Sequence, residues 1–219
     1  MEPEHARLLR EIAAEAQSTA GYTGIAAFAP RVMAAMAAVP RPEFVPAGER
    51  VSAYLDIPLP IGHGQTISQP YIVALMTDLL ELEPGDKVLE VGAGSGYQAA
   101  VLARLAKEVH TVEIVSALAR ACRERLARLG IANVTVHEGD GSAGLEAEAP
   151  FDSIMVTAAA RRVPSALVEQ LKPGGRMAIP LGEPWSTQEL VLLEKNARGE
   201  AEMRPVLPVR FVPLTGKDG

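Results

Sequence analysis

The sequence holds one cysteine, four histidines and only 4% aromatic residues. A single thiol excludes an intrachain disulfide and a cysteine-built metal cluster. The histidines (His5, His63, His110, His137) show no zinc-ligand spacing, so no metal is expected. Few aromatics leave little for stacking nucleobases. A basic excess is missing too: 21 Lys plus Arg face 27 Asp plus Glu, a net charge of −6. A binder of phosphate backbones needs a cationic face for counterion release, so nucleic acid is not an expected partner. No apolar run approaches the roughly 20 residues of a membrane span. The most apolar stretch, Gly24 to Val39, is broken by Pro30 and Arg31. The first residues (Met1, Glu2, Pro3, Glu4, His5) lack the basic-then-apolar layout of a secretory signal. These absences lead to the expectation of a soluble, cytoplasmic protein whose 219 residues suffice for one core without staples.

Helix and strand patterns fill the chain unevenly. Residues 1–50 read as helical, with Leu8, Leu9 and Ile12 on one face and Val32, Met33 and Met36 on another. Residues 51–70 carry Pro58, Pro60, Gly62, Gly64 and Pro70, which argue for a long irregular loop. From Tyr71 the patterns alternate. A helix Tyr71–Leu82 precedes a strand Lys87–Val91, and a glycine turn leads into a helix running to Lys107. A strand Glu108–Ile114 precedes a helix that Ser116 can cap and Gly130 can end. Strands Val134–His137 and Ser153–Val156, a helix Val163–Leu171 and a strand Arg176–Pro180 follow. The last two strands, Glu189–Glu194 and Val206–Val212, have no helix between them and are expected as an antiparallel edge. The fold class is therefore α/β: a Rossmann-like, doubly wound, mostly parallel sheet with a helical N-terminal segment. Residues 1–70 form that segment and a loop, and residues 71–219 form the ligand-binding domain, together one compact unit. Arg120, Arg123, Arg125 and Arg128 lie opposite an apolar stripe that includes Leu118, Cys122 and Leu126, which makes them a solvated face and Cys122 a buried hydrophobe.

Ligands of such sheets sit beyond the carboxyl ends of the strands. The first such end is Glu90-Val91-Gly92-Ala93-Gly94-Ser95-Gly96, where glycines permit a tight turn close to a ligand. Glu113 ends the next strand, placed to accept from ribose hydroxyls, and Asp140 ends the third within Gly139-Asp140-Gly141. Three signals at consecutive strand ends point to a nucleoside-bearing cofactor. A nicotinamide dehydrogenase would carry the longer Gly-x-Gly-x-x-Gly spacing and often a Tyr with Lys four residues on. The residues four after Tyr22, Tyr54, Tyr71 and Tyr97 are Ala26, Pro58, Leu75 and Val101. A carboxylate, three glycines, a ribose acid and a later Asp instead resemble the S-adenosylmethionine site of class I methyltransferases.

The stretch Pro60-Ile61-Gly62-His63-Gly64-Gln65-Thr66-Ile67-Ser68-Gln69-Pro70 closely resembles the signature of protein-L-isoaspartate O-methyltransferases. The likeness extends to Val39-Pro40-Arg41, Phe44-Val45, Gly139-Asp140-Gly141, Leu171 through Gly175 and Arg210 through Leu214. That resemblance implies methyl transfer from S-adenosyl-L-methionine to the free carboxylate of L-isoaspartyl residues, which begins their repair. It implies peptides and proteins as substrates, with no nucleic acid or membrane, and we expect a monomer. By the family pattern Ser68 is the catalytic serine. Thr66, Ser68, Glu90, Gly92, Gly94, Gly96, Glu113, Asp140 and Gly141 fall at cofactor positions, and Thr215 lies where a residue borders cofactor and peptide. A non-catalytic cofactor-binding module and a nucleic-acid methyltransferase remain the alternatives. Isoaspartate forms most readily before glycine; Asp140-Gly141 is expected to be held rigid in the cofactor site, so Asp218-Gly219 is the place where this chain is expected to become its own substrate.

Overall fold

The computed structural model describes residues 2–184 and 186–217; Asp218-Gly219 lies outside the described residues. Helix α1 (Pro3–Thr23) starts with proline in its first turn, and Gly24 ends it in a left-handed conformation, φ 75°. Helix α2 (Pro30–Ala38) follows, and two short 3-10 turns lead to residue 52.

The next segment departs from the irregular loop expected over residues 51–70. Strands β1 (Leu59–Gly62) and β2 (Gln65–Ile67) form an antiparallel hairpin, with Leu59 opposite Ile67 and Pro60 opposite Thr66. Proline is tolerated here because each strand of a two-stranded ribbon is an edge strand. His63 (φ 54°) and Gly64 (φ 72°) reverse the chain with two residues in left-handed conformation, as a hairpin turn of that length prefers.

Helix α3 (Pro70–Leu79), strand β3 (Lys87–Val91), helix α4 (Tyr97–Leu102), strand β4 (Glu108–Glu113), helix α5 (Ser116–Arg128) and strand β5 (Val134–Glu138) come next. Strand β6 (Phe151–Val156), helix α6 (Ser165–Gln170) and strands β7 (Leu171–Leu181), β8 (Gln188–Lys195) and β9 (Ala201–Val209) complete the order. Helix α4 stops at Leu102, short of the expected Lys107, because the chain turns back through Leu105 and Ala106. Ser116 does not cap α5 as expected. Val115 occupies the cap position in an extended conformation, and Ser116 Oγ bonds Glu138 instead.

Seven strands form one sheet in the order β5-β4-β3-β6-β7-β8-β9. The first five are parallel, and β8 and β9 close one side antiparallel, as expected for the two late strands. Successive residues of a strand face opposite sides. Val88 and Val109 accordingly join a core with α1 to α5, whereas Leu89, Val91, Ile154 and Met177 join a second core with Leu167 of α6. Burial on both faces explains the apolar runs Val88-Leu89 of β3 and Ile154-Met155-Val156 of β6. Glu90, with no solvent exposure, breaks the first of them. The strand order reverses between β3 and β6, the point where such sheets open a crevice for ligands.

Candidate active site

The crevice is built by the ends of β3, β4 and β6. Gly92 has φ 100°, and a Cβ there would stand 2.5 Å from Thr157 Oγ1. The Thr157 hydroxyl points at the Val91 and Gly92 carbonyls (3.0 and 2.7 Å), tying β6 to the turn. Only glycine satisfies both the left-handed backbone and that approach. Gly94 donates its N–H to Glu113 Oε2 (2.8 Å), while Glu113 Oε1 accepts from the Val115 N–H (2.9 Å). Glu113 thus fixes the glycine turn and the entry to α5 with one buried carboxylate. Gly96 has a different neighbour: a Cβ there would meet Cys122 Sγ at 2.7 Å, so its side of the turn faces helix α5. Cys122 itself is buried, its thiol pushed up to about 12 by desolvation.

Glu90 points beneath the turn. Its Oε2 accepts from Thr111 Oγ1 (2.5 Å), and its Oε1 has no hydrogen-bond partner among the described residues. Burial, opposed by the Thr111 bond and reinforced by the Glu113 charge, pushes its carboxyl up to about 8. A raised carboxyl pKa favours the protonated fold, so this contribution to stability is complete below the unfolded value near 4.5. It is lost as pH rises through about 8. Glu90→Gln removes the titration, and its Tm should decline less than that of the wild type between pH 5 and pH 8. Thermal unfolding across that range checks this; equal slopes would mean that Glu90 does not titrate there.

Asp140 and Gly141 close the crevice on the β5 side. Gly141 lines it, with a hypothetical Cβ 2.5 Å from Val91 Cγ1. Asp140 sits behind. Its Oδ1 accepts from the Ser142 N–H and hydroxyl (2.9 and 2.7 Å), and its Oδ2 accepts from the Lys217 N–H (2.7 Å). Burial alone would raise Asp140; the Lys217 and Ser142 bonds outweigh it and hold the carboxyl below its ordinary value. This carboxylate therefore latches the C-terminal segment, which places Leu214 and Thr215 in the crevice wall.

The opposite wall comes from the hairpin. Thr66 and Ser68 line this crevice and also a second cavity of about 470 Å³. The second cavity is bounded by Glu15 and Thr19 of α1, Tyr71 of α3 and Arg210-Phe211 beyond β9. Helix α3 begins with Pro70, and Asp56 supplies its cap from a distance, accepting from the Tyr71 N–H (2.8 Å) and from Gln69 Nε2 (3.0 Å). Ser68 is thereby relieved of capping duty, and its hydroxyl makes no hydrogen bond among the described residues. Burial, and then the neighbouring Asp56, raises Glu15 to about 7.

A family model described as protein-L-isoaspartate(D-aspartate) O-methyltransferase matches residues 22–219. The chain belongs to that family. It is 57% identical over 215 residues to protein-L-isoaspartate O-methyltransferase 1 of Cupriavidus necator, covering 98% of this chain and 83% of the relative. Against a Polaromonas protein of the same description (number 2) it is 57% identical, covering 96% and 100%. A solved protein-L-isoaspartate O-methyltransferase superposes with a TM-score of 0.84 at 30% identity, covering 98% of this chain and 67% of that one. A Plasmodium falciparum protein solved with S-adenosyl-L-homocysteine gives 0.79 at 27% identity, with 98% and 99% covered.

The crevice fits the S-adenosyl-L-methionine that this methyltransferase family uses. The glycine turn lines the crevice with bare backbone at Gly92 and Gly94, and Glu90 Oε1 is a buried acceptor lacking a donor among the described residues. Of the residues expected at the site, Thr66, Ser68, Glu90, Gly92, Gly94, Glu113, Gly141 and Thr215 line the crevice, whereas Gly96 and Asp140 are not among its lining residues. Sequence reading missed Thr157, although a strand end next to β3 was the signal available for it. It also missed Glu15 and Thr19, for which helical periodicity carried no signal.

Proposed function

We propose that Ser68 is the residue at which methyl donor and acceptor meet. The observation that carries this reading is its place on the wall shared by the glycine-turn crevice and the second cavity, with a hydroxyl free of other bonds. The reaction is methyl transfer from S-adenosyl-L-methionine to the free carboxylate of L-isoaspartyl residues in peptides and proteins, the first step of their repair. A carboxylate of intrinsic pKa about 4 is ionised at pH 7, so no residue has to act as general base. The cofactor supplies a methyl already activated by a sulfonium. What the chain must add is alignment, which contributes about 7–11 kcal/mol when reacting atoms are held in line. Glu90, Gly92, Gly94, Glu113, Gly141 and Thr215 would hold the donor. Thr66 would border both ligands, Gly96 would keep the turn packed on α5, Asp140 would hold the C-terminal wall, and the Ser68 hydroxyl would donate to one acceptor oxygen.

In this scheme residues 1–70 are the helical segment and the loop that borders substrate and cofactor, and residues 71–219 are the cofactor-binding methyltransferase domain, together one compact unit. No described helix is long and apolar enough to cross a membrane. We infer a monomer acting in the cytoplasm and away from membranes, and the net charge of −6 disfavours nucleic acid as a partner. Incubation with methyl-labelled cofactor and an isoaspartyl peptide, beside its aspartyl twin, tests the reaction: label is expected in the first alone.

The peptide docks, on this reading, along the far end of β9. That strand is the edge of the sheet, and Leu207 through Val212 line the second cavity. Pro205 and Pro208 within β9 guard the edge against uncontrolled pairing, yet leave stretches where an extended substrate can add backbone bonds. N-methylating the substrate backbone beside the isoaspartyl residue is expected to raise KM severalfold with little change in kcat. If KM is unchanged at every position, docking on the edge is wrong.

A further inference from the structure

Among the described residues Arg41 is the largest fully buried side chain, at 0% exposure. Its Nη1 donates to the carbonyls of Ala53 (2.7 Å) and Leu55 (3.2 Å). Its Nη2 donates to the carbonyls of Ile57 (2.8 Å) and Ser68 (3.1 Å). No carboxylate forms an ion pair with it among the described residues. A buried charge is costly unless it is well bonded; here main-chain dipoles bond both terminal nitrogens, while Nε has no partner among the described residues. Burial brings the guanidinium down to about 10, still cationic at pH 7.

The four carbonyls have a common feature. Ala53, Leu55 and Ile57 lead into the β1–β2 hairpin, and Ser68 is the first residue beyond it. One planar fork therefore ties both ends of the segment that walls the two cavities. A fork of N–H groups in fixed geometry can span two chain segments; an ammonium is a point donor and cannot reproduce that pattern. The carbonyl gripped at the exit belongs to Ser68 itself, only three bonds from its Cβ.

We propose that Arg41 is a positioning residue for methyl transfer, which sets the Ser68 hydroxyl by holding the Ser68 carbonyl together with the hairpin entrance. This rests on the reading of Ser68 given above. A side chain that only stabilised the fold would change the amount of folded enzyme and leave kcat per folded molecule intact.

The test is a double-mutant cycle of Arg41→Lys, Ser68→Ala and the pair, with kcat and KM for an isoaspartyl peptide referred to folded enzyme by Tm. Arg41→Lys should lower kcat about 10–100-fold, the scale of a misplacement near 1 Å, with KM changed less. The pair should be no slower than the worse single variant, because residues acting as one unit are not additive. Losses that multiply, beside a strong Ser68→Ala effect, would overturn the role of Arg41 alone. A silent Ser68→Ala would instead remove the reading on which it rests. Should Arg41→Lys not fold, Arg41→Ala prepared with methylguanidinium replaces it. A kcat per folded molecule that rises and saturates with the additive supports the proposal, and wild-type kcat per folded molecule without the additive overturns it.

Discussion

Glu113→Ala is expected to weaken S-adenosylhomocysteine binding about 100-fold, the upper end of what one charged acceptor contributes, about 1.5–3 kcal/mol. Two losses coincide. The strand-end carboxylate is the acceptor placed for the ribose hydroxyls, and the same group holds the Gly94 and Val115 N–H groups at 2.8 and 2.9 Å. Without it the glycine turn must be ordered anew when the cofactor arrives, which adds an entropic cost to the lost bond. Glu113→Gln should recover little. An amide presents one acceptor oxygen, and its NH₂ would face a backbone N–H where the second carboxylate oxygen now accepts. Calorimetric titration of both variants, with Tm to confirm folding, gives the answer. Wild-type affinity in a folded Glu113→Ala protein would remove Glu113 from the cofactor site.

The parts of this molecule that could be read from sequence are those in which neighbours in the chain are neighbours in space. Strands β3, β4 and β6 are buried on both faces, and the Gly92–Gly96 turn follows the first of them. Both are local facts. So is the apolar stripe of α5 that buries Leu118, Cys122 and Leu126. The hairpin escaped because proline and glycine mark the end of a strand in a large sheet, yet cost little in a two-stranded ribbon with a tight turn. The assignment of Ser116 as a cap failed for a related reason: Glu113, three residues upstream, already satisfies the Val115 N–H. Long-range assemblies left no trace at all. Asp140 meets Lys217 across 77 positions, and Tyr71 meets Thr19 across 52. The predicted site residues converge nonetheless, since strand ends of a parallel sheet must share one edge. The Gly96 contact with Cys122 shows the limit of that rule. A glycine in a ligand-binding turn can be needed for helix packing instead.

The second large effect is expected at Ser68, where the size and the kinetic parameter both carry information. Removing one oxyanion-hole donor typically costs 10²–10³-fold, because the donor meets a charge that exists only in the transition state. Here the acceptor is a carboxylate before and during transfer, so its bond to the Ser68 hydroxyl is present in the bound substrate as well. A bond common to ground and transition states cannot supply its full strength to kcat. Ser68→Ala should therefore cost about 10–100-fold, less than an oxyanion-hole deletion. Most of that loss should appear in kcat, since misorientation penalises the aligned geometry more than initial binding. Ser68→Thr retains the hydroxyl and adds a methyl. The cavity of about 470 Å³ beside it offers room, so this variant should recover part of the activity. Ser68→Cys replaces a good donor by a weak one and should behave like alanine. Its thiol is the discriminating element, because a nucleophilic role for residue 68 would make cysteine the better residue. Steady-state rates of the three variants, with mass analysis for a methylated thiol on the Cys variant, separate the roles. A methylated enzyme turning over at wild-type rate would replace positioning by covalent transfer.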